Sequence, residues 1–216
     1  MKILTVAEMR AAESAADSAG HSYAEMMERA GRGAAETLLA RLEDPGAHKI
    51  VVLAGSGNNG GDGLVCAHYL SNAGAAVAVY LTRQPDEADP KIQRLRHKAM
   101  LVADADRDGD RRVLTRLLGS ATVVVDALVG TGARMPLGGR PAAVLDALRE
   151  RLAADGERPY VLAIDCPSGL DCDSGACDAR LTSADLTVTF AAPKRGFIGF
   201  PANDRLGEWV VVDIGL

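Results

Sequence analysis

KIVVLAGSGNNGGDG, residues 49–63, is the stretch on which the fold turns. A short apolar, β-rich run gives way to glycines and amides and then to a helical pattern, the strand–loop–helix junction of an α/β unit. Glycines lack a β-carbon, so the backbone there turns sharply and approaches a ligand closely, and free N–H groups at the helix start attract an anion. Outward from this junction the same alternation repeats through GLVCAHYLSNAG, AVAVYLT, DPKIQRLRHKAML, ATVVVDALVG, PAAVLDALRERLAAD and YVLAIDCPSG. Strands alternating with helices predict βαβ units, hence an α/β fold: a doubly wound, mostly parallel, Rossmann-like sheet with helices on both faces. Its strands are continuous apolar runs, as expected when both faces are covered, and ADLTVTFAA and EWVVVDIGL extend the sheet.

Upstream, residues 5–20 and 22–43 read as two N-terminal helices. The second carries Met26, Met27, Ala30, Ala34, Leu38 and Leu42 at three- and four-residue steps. That stripe reads as core or as a homodimer contact, because the two helices offer more apolar surface than one face of the sheet covers. The stretches 83–91 and 104–112 read as solvated loops and a helix start.

The 216 residues suit one domain, 1–216, with the abrupt end after VVVDIGL leaving room for a longer protein. Aromatic residues make up only 4%, so the core must be built from small aliphatic side chains. A net charge of −5 argues against a non-specific nucleic-acid binder, which needs a basic surface. The opening segment carries Glu8, Glu13 and Asp17, so it lacks the apolar stretch of a signal peptide, and no long apolar run follows; a cytoplasmic protein without a membrane span is expected. Cys66, Cys166, Cys172 and Cys177 show no C-x-x-C spacing and read as reduced thiols.

Ligands of doubly wound folds bind beyond the carboxyl ends of the strands, and three such places stand out. The first is Gly55 to Gly63, in which Gly55, Gly57 and Gly60 spell G-x-G-x-x-G. An ordinary NAD(P)-dependent oxidoreductase also wants an acidic residue at the end of the next strand to hold the ribose. That strand ends Tyr80-Leu81-Thr82-Arg83 with no carboxylate, although Arg83 could face a 2′-phosphate. The second place is Asp126 to Gly132 and the third is Asp165 to Asp171. Any one of these is explicable as turn chemistry; three strand ends each offering glycine with a carboxylate or amide is harder to obtain that way.

Together the motifs N-N-G-G-D-G at Asn58–Gly63, D-A-L-V-G-T-G at Asp126–Gly132 and D-C-P-S-G-L-D at Asp165–Asp171 resemble those of the NAD(P)H-hydrate epimerases, the YjeF N-terminal domain family. The second has Val129 where the family pattern has Phe. The resemblance extends to EMR-x-x-E at Glu8–Glu13, MMERAGRGAAE and VTFAAPKRGF, essentially the whole chain. It implies an isomerase of metabolite repair that interconverts the R and S epimers of NADHX and NADPHX, working beside an ADP- or ATP-dependent NAD(P)H-hydrate dehydratase, as a functional partner or a fused domain. Carried over position by position, Asn58, Asn59, Gly60, Gly61, Asp62, Gly130, Thr131, Gly132, Ala133, Arg134, Met135, Pro136 and Asp165 would contact the hydrated dinucleotide. Asn59, Asp126 and Ser168 would hold a potassium ion.

Epimerisation at C6 needs proton transfer. Asp165 is the candidate acid/base, since burial in a crevice raises a carboxylate's pKa. Lys194 is a second candidate, against the plainer reading of a solvated strand-end charge. Two rival functions stand beside this one: a non-catalytic interaction module on the same fold, which would have lost the strand-end polar set, and the oxidoreductase.

Overall fold

The computed structural model describes residues 2–132 and 134–216. Two helices come first, α1 (Val6–Ser18) and α2 (Tyr23–Leu39), each opened by a reciprocal cap. Thr5 accepts from the Glu8 N–H while Glu8 accepts from the Thr5 N–H, and Ser22 and Glu25 repeat the pattern, satisfying donors that a helix start leaves open. The α2 stripe of Met26, Ala30, Gly31, Ala34, Ala35 and Leu38 is buried within the chain.

The alternating part follows as β1 (Lys49–Ala54), α3 (Asn58–Asn72), β2 (Ala76–Leu81), α4 (Pro90–His97), β3 (Leu101–Asp104), α5 (Arg112–Ser120), β4 (Val123–Ala127), α6 (Gly139–Ala153), β5 (Tyr160–Ile164), β6 (Leu186–Phe190) and β7 (Glu208–Val212). The strands form a 7-stranded sheet in the order β3-β2-β1-β4-β5-β6-β7, and every neighbouring pair is parallel. Along β1, Ile50 and Val52 pack with α2, α3 and α4, whereas Val51 and Leu53 pack with α5 and α6. One uninterrupted apolar strand thus supplies both faces, and the core is aliphatic on each.

The sequence reading and the structure differ at three places. β3 is a strand the pattern did not reveal: it is four residues long, lies at the sheet edge and exposes Leu101, so its apolar signal is weak. The stretch 104–112 is not wholly solvated, because Asp104 and Asp108 are buried. Asp108 caps α5, accepting from the Val113 and Leu114 N–H groups at 3.0 and 2.9 Å and from the Tyr80 hydroxyl. Asn58 to Gly63 opens α3 itself and is not a loop before it. Among the described residues, no helix is long and apolar enough to cross a membrane.

Strand order reverses between β1 and β4, so the segments leaving them diverge to opposite faces. The crevice this opens at the carboxyl edge is where doubly wound folds place ligands.

Candidate functional site

The start of α3 forms one wall of the crevice. Its N-cap, Gly57, provides no side-chain acceptor, so the N–H groups of the first turn keep their capacity for an outside anion. The glycines around it serve packing more than ligand approach. A β-carbon on Gly55 would overlap the Leu128 carbonyl oxygen, and one on Gly60 would overlap that of Gly55. Gly61 lies against Met27, and only Gly57 faces open space.

Beneath the crevice, Asp126 at the end of β4 ties together the segments that follow β4 and β5. One carboxylate oxygen accepts from the Ser168 N–H at 2.8 Å; the other accepts from the Ser168 hydroxyl at 2.6 Å and the Leu128 N–H at 3.2 Å. The Ser168 Oγ in turn accepts from the Val129 N–H at 2.9 Å. Burial pushes the Asp126 carboxyl up, with the Ser168 and Leu128 hydrogen bonds opposing it. Farther along, Asp178 accepts from the Leu137 N–H at 2.7 Å, anchoring the far end of the Gly130–Pro136 segment.

Asp165 leaves β5 with a left-handed backbone, φ 66°, a conformation that Asp tolerates better than most residues. Its amide donates to the Val188 carbonyl at 2.7 Å, which holds the turn against β6. Lys194, in the segment after β6, brings its ammonium within 2.7 Å of Asp165 Oδ1 and is only 1% exposed. The plainer reading of Lys194 as a solvated strand-end charge is therefore overturned. Its other hydrogen bonds go to Thr189 Oγ1 at 2.8 Å and the Phe190 carbonyl at 3.1 Å. Thr189 Oγ1 lies 3.4 Å from the same Asp165 oxygen.

These groups open on a cavity of about 690 Å³, in the size range of small-ligand sites. Asn58, Asn59, Asp62, Gly130, Thr131, Gly132, Asp165 and Lys194 all line it. Helix α1 lines the cavity as well, through Met9, Arg10 and Glu13. Asp62 is 9% exposed and its carboxylate makes no hydrogen bond among the described residues; burial first, and then the Asp165 and Glu13 carboxylates, push its pKa well up. A second chamber of about 470 Å³ joins at Glu13, Tyr23, Asn58, Asp62 and Phe190 and runs beneath α2.

Not every residue named from sequence faces the cavity. Gly60 is spent on Gly55, while Gly61 lines a smaller neighbouring cavity with Thr82 and Arg83. Arg134, Met135 and Pro136 lie beyond the lining, Ala133 falls outside the described residues, and Asp126 and Ser168 sit below. Sequence reasoning missed Glu13, Thr189 and Asp178 as parts of the site. Glu13 had a signal, the last acid of EMR-x-x-E, but nothing local says that α1 lines the same cavity as the strand ends.

Asn59, Asp126 and Ser168 would offer oxygen donors of the kind a monovalent cation takes, provided a free donor remains. One does: Asn59 Oδ1 is buried and without a hydrogen-bond partner. It and Asp165 Oδ2 both approach to 3.1 Å the point where a β-carbon on Gly130 would lie. Among the described residues no three His, Cys, Asp or Glu side chains converge as a metal site.

By its sheet order and the placing of its cavity, the molecule is a Rossmann-like α/β protein with its candidate ligand site at the carboxyl edge of the sheet. The chain belongs to the family described as YjeF-related protein N-terminus, which matches residues 23–196. It is 40% identical over 212 residues to a Coxiella burnetii protein named bifunctional NAD(P)H-hydrate repair enzyme, covering 97% of this chain and 40% of that one. Against a Roseobacter litoralis protein named NAD(P)H-hydrate epimerase the identity is 37% over 214 residues, covering 89% and 90% of the two. The chain thus spans about 40% of the length of the bifunctional relative and most of the epimerase. A crystal structure of the yeast protein ynu0 shares the fold, with a TM-score of 0.78 at 19% identity over 98% of this chain and 87% of the other.

Proposed function

We propose that this chain is an isomerase that interconverts the R and S epimers of hydrated reduced nicotinamide cofactors, NADHX and NADPHX, in metabolite repair. The observation that carries the reading is the buried Asp165–Lys194 pair lining a nucleotide-sized cavity, beside an uncapped helix start. Relatives named for the epimerase and for NAD(P)H-hydrate repair add to it.

In this account the N–H groups at the start of α3 bind the diphosphate, using the helix dipole and the unfilled donors. Asn58, Thr131 and Gly132 bracket the ligand, and the hydrated ring lies over Asp165. No redox partner is needed, because C6 only loses and regains its hydroxyl. Asp165 exchanges the proton, and Lys194 keeps its carboxylate oriented. A potassium ion held by Asn59, Asp126 and Ser168 would supply positive charge beside the diphosphate.

The epimer that the enzyme forms passes to an ADP- or ATP-dependent dehydratase, as a separate protein or a fused domain. The proposed homodimer draws on exposed Tyr23, Ile198 and Phe200, since the α2 stripe is buried within the chain; light scattering at micromolar concentration checks this, and a monomer refutes it. The function itself is tested by chromatography of one purified epimer of NADHX incubated with the chain. Faster approach to the R/S equilibrium than the spontaneous rate is expected; an unchanged rate overturns the reading.

A further inference from the structure

Resting on the epimerase reading, one requirement of the chemistry goes beyond a single acid/base group. The hydroxyl leaves C6 from one face of the ring and water returns to the other, so a proton must be delivered on one face and collected on the opposite one. Asp165 and Lys194 reach the ligand from the strand ends only. We propose that Glu13, which lines the same cavity from helix α1, is a second catalytic residue, acting on the ring face opposite Asp165.

Helix α1 is held in place for this. The Leu4 N–H donates to the Pro193 carbonyl at 3.0 Å, and the Leu4 carbonyl accepts from the Arg195 N–H at 2.8 Å, so the chain entering α1 flanks Lys194 on both sides. The Val6 N–H donates to Asp173 Oδ1 at 2.9 Å. Met9 is the buried residue of α1, and Glu13 stands one turn later on the same face, which directs it inward. Glu13 lines both the main cavity and the adjoining chamber, and among the described residues it has neither ion pair nor side-chain hydrogen bond. A carboxyl kept only for solubility would stand in water or pair with a cation, as Arg32 and Glu36 do on α2.

The charged groups facing Glu13 are Asp165 after β5, Lys194 after β6, Asp62 on α3 and Arg10 on its own helix. Burial and the Asp165 carboxylate push the Glu13 carboxyl up; Lys194 and Arg10 pull the other way. Two carboxyl groups in unequal surroundings are the usual arrangement for an acid and a base at one pH. Glu13 gives its proton to the C6 hydroxyl, and the C6–O bond breaks with its electron pair leaving as water. The N1 lone pair closes an N1=C6 bond. Water then attacks C6 from the other face, that pair returns to N1, and the attacking water's proton passes to the Asp165 carboxylate. The reverse sequence serves the other epimer, and the two carboxyl groups reset through solvent.

The test follows epimerisation and the exchange of C6 oxygen with ¹⁸O-labelled water in one experiment, for each purified epimer of NADHX. Glu13→Gln should slow epimerisation by at least about 100-fold. It should leave oxygen exchange without inversion, above the spontaneous background, in the one epimer whose hydroxyl faces Asp165. Glu13→Asp should restore part of the epimerisation. Epimerisation by Glu13→Gln within a few-fold of the parent chain, or loss of exchange and inversion together in both epimers of a variant that melts normally, overturns the proposal. A parent chain that neither epimerises nor exchanges defeats the epimerase reading itself, a distinct outcome.

Discussion

Lys194 Nζ lies 2.7 Å from Asp165 Oδ1, and its remaining hydrogen bonds reach Thr189 and the Phe190 carbonyl, so all three ammonium protons are engaged within the protein. Lys194 is thereby a positioning residue, and Asp165 keeps Oδ2 for the cavity. Removing one partner of a buried pair leaves the other charge uncompensated, which typically costs about 3–5 kcal/mol. Lys194→Met should lose stability of that order in urea unfolding, and adding Asp165→Asn should cost less than the sum of the two single changes. A loss below about 1 kcal/mol would assign the pair to the weakly coupled class of surface ion pairs.

Two glycines of the same motif should respond unequally to alanine. At Gly60 the new β-carbon meets the Gly55 carbonyl, backbone that cannot step aside, so overpacking of about 1–3 kcal/mol is expected. Gly57 has φ −98° and open space, so Gly57→Ala should change stability by only about 0.5 kcal/mol. Denaturant midpoints at constant slope decide it, and equal effects would contradict the packing account.

Asp62 yields a prediction with a definite sign. Its folded pKa is raised, so the folded chain holds a proton that the unfolded chain has released. Ionising it therefore costs stability as pH rises from about 3.9, the ordinary value, through the raised folded value, and below both values the cost is absent. Asp62→Asn is neutral throughout. The difference in unfolding free energy should turn in the variant's favour as pH rises across that window. A difference that stays flat with pH would refute it.

For the cation, thermal melts in potassium chloride against choline chloride at equal ionic strength give a reading independent of activity. The parent chain should melt higher in potassium, since a ligand that binds only the folded state stabilises it. Asp126→Asn keeps an acceptor for Ser168 but removes the charge, so the potassium increment should shrink. An equal increment in both proteins would take Asp126 out of the ion site.

Much of this molecule was legible in its sequence because it rests on local pattern. The continuous apolar runs became parallel strands, and the three motifs at Gly55, Asp126 and Asp165 were read as strand ends and met in one crevice. What escaped depends on tertiary packing. Gly55 and Gly60 were read as making room for a ligand, yet they make room for neighbouring backbone. Glu13 is an ordinary helix-surface acid until α1 is docked through Leu4 on Pro193 and Arg195 and through Val6 on Asp173, and Asp108 looks like loop polarity until it caps α5 under Tyr80.

The central claim is that C6 inverts over Asp165, and Asp165→Asn tests it most directly. The amide keeps the shape and a hydrogen-bond acceptor for Lys194, but it cannot exchange a proton. With affinity for the hydrated cofactor measured separately by calorimetry, the account predicts binding within a few-fold of the parent chain. It predicts an epimerisation rate at saturating substrate at least about 100-fold lower after the spontaneous background is subtracted. A rate within a few-fold of the parent's in that folded, ligand-binding variant would contradict the account and leave Asp165 as a binding residue only.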